Sequence, residues 1–211
     1  MSTQTSKCKI CRRLGDKLFL KGEKCFSAKC PMIKRPYAPG QKPKRRRAGV
    51  SEFGKELREK QRIRKQYNLS EKQFKNYAKE VLNTGAKVED VSSLFIQKIE
   101  TRLDNVIFRT GVAKSRIEAR QMVSHGHFYV NGKKTDIPSQ SLKIGDKISI
   151  REGSKTKPLF SNLEEKIKKI PAPQWMKVNG KNFEVEIIKY PTIEDVQLPG
   201  ELSAVFEHYS R

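Results

Sequence analysis

The sequence has few acidic residues, no long apolar segment and no cysteine after residue 30. Its 23 Asp and Glu face 45 Lys and Arg, which gives a formal net charge of +22 at pH 7 over 211 residues. No segment reaches the roughly 18 apolar residues of a membrane-spanning helix, and no apolar stretch follows the basic residues at the N-terminus. We therefore expect neither a membrane anchor nor a secretory signal. Because so large a surplus repels itself, it favours an anionic partner, and nucleic acid is the remaining candidate.

The positive charge is concentrated at the start of the chain. Residues 1–50 contain 15 basic and 2 acidic side chains, a surplus of 13. Hydrophobic residues make up 36% of the chain, which is sparse for a self-sufficient globular protein. We therefore expect a modest core, with part of the chain ordered by its partner.

All four cysteines lie in this basic segment, as Cys8-x-x-Cys11 and, after thirteen residues, Cys25-x-x-x-x-Cys30. Two short loops of this kind deliver two thiolates each to one tetrahedral ion, and the surrounding basic residues favour the thiolate form. The spacing predicts one structural Zn²⁺ bound by Cys8, Cys11, Cys25 and Cys30. An iron–sulfur cluster, two disulfides or four unrelated buried thiols are the alternatives. Because the loop between the pairs is polar, we expect its folding to depend on the metal.

A basic segment containing Pro and Gly follows at residues 34–47. Pro interrupts regular structure and the cations cannot pack in a core, so we expect an extended arm that lies along phosphates. A solvated tail and a nuclear-localisation signal are the alternatives. The residues predicted to contact RNA from the N-terminal segment and this arm are Arg12, Arg13, Lys34, Arg35, Lys44, Arg45, Arg46 and Arg47.

Two helices are predicted after the arm. The first runs from Ser51, a favourable N-cap, to Gln66, and its apolar stripe is so thin that we expect weak packing on protein and a basic face toward RNA. The second begins at Ser70, which forms a capping box with Gln73. The residues of the first helix predicted to contact RNA are Arg58, Arg62 and Lys65.

Helices and then strands are predicted in the middle of the chain. Apolar residues at steps of three and four predict one helix from Ser92 or Ser93 to Gly111. A capping box opens the next helix at Ser115, and Gly126 ends it.

Strands are predicted at residues 127–130 and 147–150, and Asn131-Gly132 after the first strand is typical of a type I′ hairpin turn. The C-terminal third predicts a charged helix at 161–169 and a second hairpin that turns at Asn179-Gly180. Trp175 is expected in the core, with base stacking as the alternative. A final helix is predicted from the apolar stripe Leu202, Val205, Phe206 and Tyr209.

The helix that begins at Ser115 carries Arg116 and Arg120 one turn apart, and its free amide groups and positive dipole end suit a phosphate. A solvated helix face is the alternative. Neither His125 nor His127 has the nucleophile and carboxylate partners of a catalytic site, so we expect no catalytic residue and no enzymatic activity. The residues of this region predicted to contact RNA are Arg102, Lys114, Ser115, Arg116, Arg120, His125, His127, Lys133 and Lys134.

Several of these segments resemble the small RNA-binding module named after small-subunit ribosomal protein four. They are TRLDNV at 101–106, AKSRIEARQMV at 113–123, HGH at 125–127, VNG at 130–132 and DIP at 136–138. The same module occurs in pseudouridine synthases, some tRNA synthetases and heat-shock RNA-binding proteins, so it does not settle function alone.

Segments outside this module extend the resemblance to essentially the whole chain, which is similar to the bacterial or organellar ribosomal protein four family. The matching segments are YAPGQ at 37–41, LREKQR at 57–62, SEKQF at 70–74 and FEHYSR at 206–211. The chain departs from the family at Lys42-Pro43, where the family often has His-Gly. An RNA contact made by that histidine is therefore not expected to carry over to this chain.

The resemblance and the predicted elements together imply an α+β fold. We expect a helical domain with an N-terminal zinc knuckle and basic arm, and an inserted α/β RNA-binding domain of small helices and antiparallel strands. The knuckle and arm occupy 1–47, the helical domain 48–91 plus 198–211, and the inserted domain 92–197, with its core module at 101–160.

The resemblance implies a structural constituent of the small ribosomal subunit in the cytoplasm, or in an organellar ribosome. It implies a primary ribosomal-RNA-binding protein that nucleates assembly of the 5′ domain, contributes to translational accuracy and represses its own mRNA. The implied partners are small-subunit ribosomal RNA, neighbouring proteins, especially ribosomal protein five, and mRNA where it enters the subunit, with no homo-oligomer. The alternatives are an RNA-modifying enzyme that uses the same module and a zinc-containing DNA-binding regulator.

Overall fold

The computed structural model describes residues 6–40, 49–85, 88–169, 172–180 and 182–210. The chain divides into two compact units, the first Met1–Ser92 with Leu198–Arg211 and the second Ser93–Gln197. Of the arm residues predicted to contact RNA, Lys44, Arg45, Arg46 and Arg47 lie outside the described residues. None of the helices in the described ranges is long and apolar enough to cross a membrane.

The described α-helices are α1 Lys7–Leu14, α2 Glu23–Phe26, α3 Pro31–Lys34, α4 Glu52–Gln66, α5 Glu71–Leu82, α6 Val88–Glu100, α7 Leu103–Arg109, α8 Arg116–Ser124, α9 Glu152–Lys155, α10 Leu163–Lys169 and α11 Leu202–Ser210. A 3₁₀ turn covers Pro158–Phe160. The strands are β1 Phe128–Val130, β2 Lys133–Thr135, β3 Lys147–Ile150, β4 Met176–Asn179 and β5 Glu184–Ile187.

In the first unit, the predicted starts of α4 and α5 are confirmed by their caps. Ser51 Oγ accepts the N–H of Gly54 at 3.2 Å, and Ser70 Oγ accepts the N–H of Gln73 at 3.2 Å. Each hydroxyl thus satisfies a backbone donor that has no partner within the first turn.

The expectation that α4 packs weakly on protein is wrong, because α4 packs against α11. Lys60 of α4 is only 5% exposed. Its Nζ donates to Glu71 Oε1 at 2.8 Å and lies 3.1 Å from Nε2 of His208. Lys60 is therefore an internal residue that joins three helices.

In the second unit, five antiparallel strands form one sheet in the order β2-β1-β3-β5-β4. Helices α7 and α8 contribute Leu103, Ile107 and Val123 to a core that also contains the fully buried Trp175. The predicted mixture of small helices and antiparallel strands is confirmed, and so is the core position of Trp175.

The stretch predicted as one helix ending at Gly111 is two helices, so that prediction is wrong. α6 begins earlier than predicted, at Val88, and ends at Glu100, and α7 begins at Leu103. Between them Arg102 is extended, with φ −66° and ψ 137°. The apolar spacing continues across this break and therefore conceals it.

Hydrogen bonds to a loop further along the chain stabilise the break. The N–H of Leu103 donates to the carbonyl of Gln140 at 2.9 Å, and the N–H of Leu142 donates to the carbonyl of Thr101 at 2.9 Å. Backbone groups that a continuous helix would pair internally are thus paired by tertiary contacts.

The two hairpins differ in how well the sequence predicts them. Asn131 and Gly132 have φ of 50° and 75°, which fits the predicted type I′ turn between β1 and β2. The predicted two-residue turn at Asn179-Gly180 is wrong. Asn179 still pairs with Glu184, so the connection between β4 and β5 spans residues 180–183.

Candidate nucleic-acid interface

The start of α8 is fixed by a reciprocal cap. Ser115 Oγ accepts the N–H of Glu118 at 3.3 Å, and Glu118 Oε2 accepts the N–H of Lys114 at 2.7 Å. Such a cap holds the first turn of the helix rigid. The side chain of Lys114 is exposed beside this turn.

The two arginines of α8 are oriented by α7. Arg116 Nε donates to Asn105 Oδ1 at 2.8 Å, and its guanidinium lies 4.5 Å from the ring centroid of Phe108. Arg120 Nη1 lies 3.8 Å from Asp104 Oδ2. Both arginines remain partly exposed, so they form a cationic surface whose side chains are oriented by contacts with α7.

A buried polar network lies beneath this surface. Glu100 is fully buried and accepts two hydrogen bonds from Arg109, at 3.0 and 2.6 Å, and another from Asn105. Since Asn105 also holds Arg116, the carboxylate of Glu100 supports the arginine that faces solvent. Sequence reasoning missed Glu100, Asn105 and Arg109, although Asn105 lies within the TRLDNV motif.

Arg102 is part of the same interior. It is 1% exposed, and its guanidinium donates to both carboxylate oxygens of Asp104, at 3.0 and 2.7 Å. This burial leaves almost no guanidinium surface for RNA, so in the isolated chain Arg102 orients Asp104.

The hairpin adds further cations. Lys133 and Lys134 are exposed and line an open groove of about 530 Å³ together with Gln140 and Lys143. Sequence reasoning missed Lys143, which carries no motif signal and reaches the groove only through the loop that follows β2.

The two histidines occupy different environments. His125 is exposed, whereas His127 is buried with Nδ1 2.9 Å from Ser154 Oγ. Burial lowers the pKa of the His127 imidazole, and the charges of Lys157, His125 and Arg151 lower it further. His127 is therefore a neutral, internally bonded residue near pH 7.

The predicted RNA-contacting residues of the first unit separate into paired and exposed groups. Arg12 donates to the carbonyl of Tyr37 at 2.9 Å and lies 4.9 Å from its ring centroid. Arg62 pairs with Asp16 and Glu59. Burial, with a smaller effect of the neighbouring Arg64, lowers the pKa of Lys65. The exposed members are Arg13, Lys34, Arg35 and Arg58.

The four cysteines are free thiols that line one small cavity of about 10 Å³. Cys11, Cys25 and Cys30 are buried and Cys8 is partly buried. Burial raises the pKa of the Cys11 thiol, the backbone N–H of Leu18 lowers it, and the other three thiols raise it further.

Among the described residues, no three His, Cys, Asp or Glu side chains form a group arranged to hold a metal ion. The loop between the cysteine pairs is less polar than expected, because its Leu18 and Leu20 are buried. Part of this segment is thus stabilised by apolar packing.

Comparison with known proteins agrees with these observations. Residues 3–98 match the family described as the Ribosomal protein S4/S9 N-terminal domain, and residues 101–148 match the S4 domain. The small ribosomal subunit protein uS4 of Natranaerobius thermophilus is 42% identical over 204 residues, 97% of this chain and 96% of that protein. The protein of the same name from Caldicellulosiruptor saccharolyticus is 44% identical over 205 residues, and the one from Thermotoga petrophila 43% over 205 residues, each with 97% and 96% coverage. The predicted family is confirmed: this chain belongs to the small ribosomal subunit protein uS4 family.

Proposed function

We propose that the chain is a structural, non-enzymatic component of the small ribosomal subunit in the cytoplasm, where it binds ribosomal RNA and neighbouring ribosomal proteins. The observation that carries this proposal is the rigid cationic surface at the start of α8, within the part of the chain that matches the S4 domain. The three relatives described above are named as small ribosomal subunit proteins, which favours this function over an RNA-modifying enzyme.

The geometry suits recognition of RNA shape. Free amide groups at the start of α8 and the oriented Arg116 and Arg120 can bind phosphates, while the groove beside Lys133 and Lys134 offers further donors. Contacts of this kind fix a folded RNA through its backbone and 2′-hydroxyls, with little reading of bases.

Replacing Arg116 and Arg120 together with Ala is expected to weaken binding to small-subunit ribosomal RNA. Because two phosphate contacts are lost, the slope of log affinity against log salt should decrease in magnitude by about 2. Chemical footprinting locates the wild-type contacts, and filter-binding titrations at several salt concentrations measure the change.

The control variant is Lys177→Ala, which removes an exposed cation on β4 outside the proposed surface. It should leave affinity nearly unchanged. Equal affinity of the wild type for ribosomal RNA and for duplex DNA of the same charge would contradict the ribosomal function. If the double variant binds RNA as tightly as the wild type, the contact surface lies elsewhere on the protein.

From the family we further propose that the protein is a primary binder that nucleates assembly of the 5′ domain and contributes to translational accuracy. It would contact ribosomal protein five and mRNA where it enters the subunit, and repress its own mRNA. The segments 1–47, 48–91 plus 198–211, and 92–197 are proposed as its knuckle and arm, helical domain and inserted RNA-binding domain.

We also propose that Cys8, Cys11, Cys25 and Cys30 bind one structural Zn²⁺. The support is the donor set of four free thiols that line one cavity of about 10 Å³, together with the lysines that line the same cavity. Four thiolates around Zn²⁺ carry a net negative charge, which these cations offset. A closed site of this kind leaves no position for a substrate.

Metal analysis of the protein purified under reducing conditions is expected to find about one zinc per chain. Cys25→Ser should lose the metal and lower the thermal stability of the first unit. Ile33→Ser, at an exposed position in the same segment, should keep both. Iron in place of zinc would identify a cluster, and a metal-free wild type would overturn the site.

A further inference from the structure

Two phenylalanines lie exposed beside one another in the N-terminal basic segment. Phe26 is 74% exposed and Phe19 is 39% exposed. Their ring centroids are 4.8 Å apart and their planes differ by 28°, so the rings are stacked. Aromatic side chains of this size are ordinarily buried, and a pair of them in solvent is typical of a binding surface.

The backbone at Phe19 turns its ring outward. Its φ is 51°, in the left-handed region that bulky side chains seldom adopt. Leu18 and Leu20 on either side are both buried. Phe19 thus has an unfavourable backbone angle although its ring is only partly buried. Backbone strain of this kind is concentrated at binding sites.

Around the pair, basic residues outnumber the acidic Asp16 and Glu23. Phe19 lines the cavity of the four cysteines, and so do Lys17, Lys21 and Lys24, whose side chains are exposed. The nearby Asp16 is already paired with Arg62. A partner that fits both features is an anion with a flat apolar face.

We propose that Phe19 and Phe26 form an aromatic platform on which an unpaired RNA base stacks, while Lys17, Lys21 and Lys24 bind its phosphates. This inference rests on the RNA-binding function proposed above and adds a contact to a base. Loops and bulges of folded RNA present unstacked bases, and aromatic side chains bind them in many RNA-binding proteins. Phe26 is the outer ring, because it rests on Phe19 and is the more exposed of the two.

Phe26→Leu keeps an apolar side chain and removes the aromatic face. We expect the full-length variant to bind small-subunit ribosomal RNA roughly 5- to 150-fold more weakly than the wild type, whereas Phe26→Tyr should retain affinity. Since no phosphate contact is lost, the salt dependence should be unchanged. Ile33→Ala, which shortens another exposed apolar side chain of the segment, is the matched control and should retain affinity.

Stacking can also be observed directly in Phe26→Trp. The only native tryptophan, Trp175, is buried, so emission from an exposed indole at position 26 is separable by difference from the wild type. Addition of ribosomal RNA should quench this emission and protect it from acrylamide.

Unchanged affinity of Phe26→Leu, with an indole that stays accessible in the RNA complex, would overturn the platform. That result would leave the RNA-binding function intact and would show that the exposed pair does not stack on a base. Failure of the wild-type chain to bind the RNA at all would overturn both proposals.

Discussion

Affinity of the chain for folded small-subunit ribosomal RNA is expected to fall by roughly 10³–10⁵ between 50 and 200 mM monovalent salt. This is the loss that accompanies neutralisation of about six to ten phosphates, on the calibration for duplex DNA. Binding releases counterions condensed on the nucleic acid, and their release becomes less favourable as bulk salt rises. Titrations over this range at constant Mg²⁺, which keeps the RNA folded, measure the slope.

The structure identifies cations that contribute less to this slope, because each is already paired with a carboxylate of the protein: Lys60, Arg62, Arg64, Arg102 and Arg109. Among the predicted contact residues, an exposed set of cations remains: Arg13, Lys34, Arg35, Arg58, Lys114, Lys133 and Lys134. If each side chain neutralises one phosphate, this exposed set alone reaches the lower end of the six to ten phosphates that the expected loss of affinity requires.

An RNA of equal length and unrelated fold is the control for the salt titration. It should bind more weakly with a similar slope, because the slope counts phosphates and not shape. A nearly flat dependence for the ribosomal RNA would show that the net charge of +22 does not drive binding.

Features of the fold that depend on neighbouring residues could be predicted from the sequence. The caps at Ser51, Ser70 and Ser115 use a hydroxyl and a backbone donor three residues away. The turn at Asn131-Gly132 requires positive φ at both positions, which these residues tolerate best. Each signal is local, so no tertiary information was needed.

The fate of individual charges could not be predicted, because their partners lie far away in the sequence. Lys60 is buried against His208, which is 148 residues further along the chain. His127 is buried beside Ser154, at a separation of 27 residues. Nothing near a basic residue in the sequence indicates such a distant partner, so the sequence alone overestimates how many basic side chains are exposed.

The exposed pair Phe19 and Phe26 was not singled out by sequence reasoning. Aromatic side chains are ordinarily buried, and nothing in the sequence around Phe19 signals its left-handed backbone, with φ of 51°. Backbone angles of this kind at a non-glycine residue depend on tertiary packing, here the burial of Leu18 and Leu20.

Replacing the buried Glu100 with Gln is expected to destabilise the second unit by about 3 kcal/mol, at the lower end for breaking a buried ion pair. Glutamine keeps the shape, but its amide nitrogen cannot accept from Arg109, which leaves that cation without the carboxylate. Arg109 is partly exposed, so water offsets some of the loss. Urea titrations followed by Trp175 fluorescence are the suitable measurement, because this single tryptophan is buried in the same unit.

The matched control is Glu194→Gln, which makes the same chemical change at an exposed position of the second unit. It should alter the free energy of unfolding by no more than about 0.5 kcal/mol. Because Glu100 also binds Asn105, which holds Arg116, the Glu100 variant should bind ribosomal RNA more weakly even in conditions where it is fully folded. If Glu100→Gln unfolds at the same urea concentration as the wild type, the ion pair between Glu100 and Arg109 adds nothing to stability. If the variant loses stability but keeps its RNA affinity, the buried network does not orient the cationic surface for RNA binding.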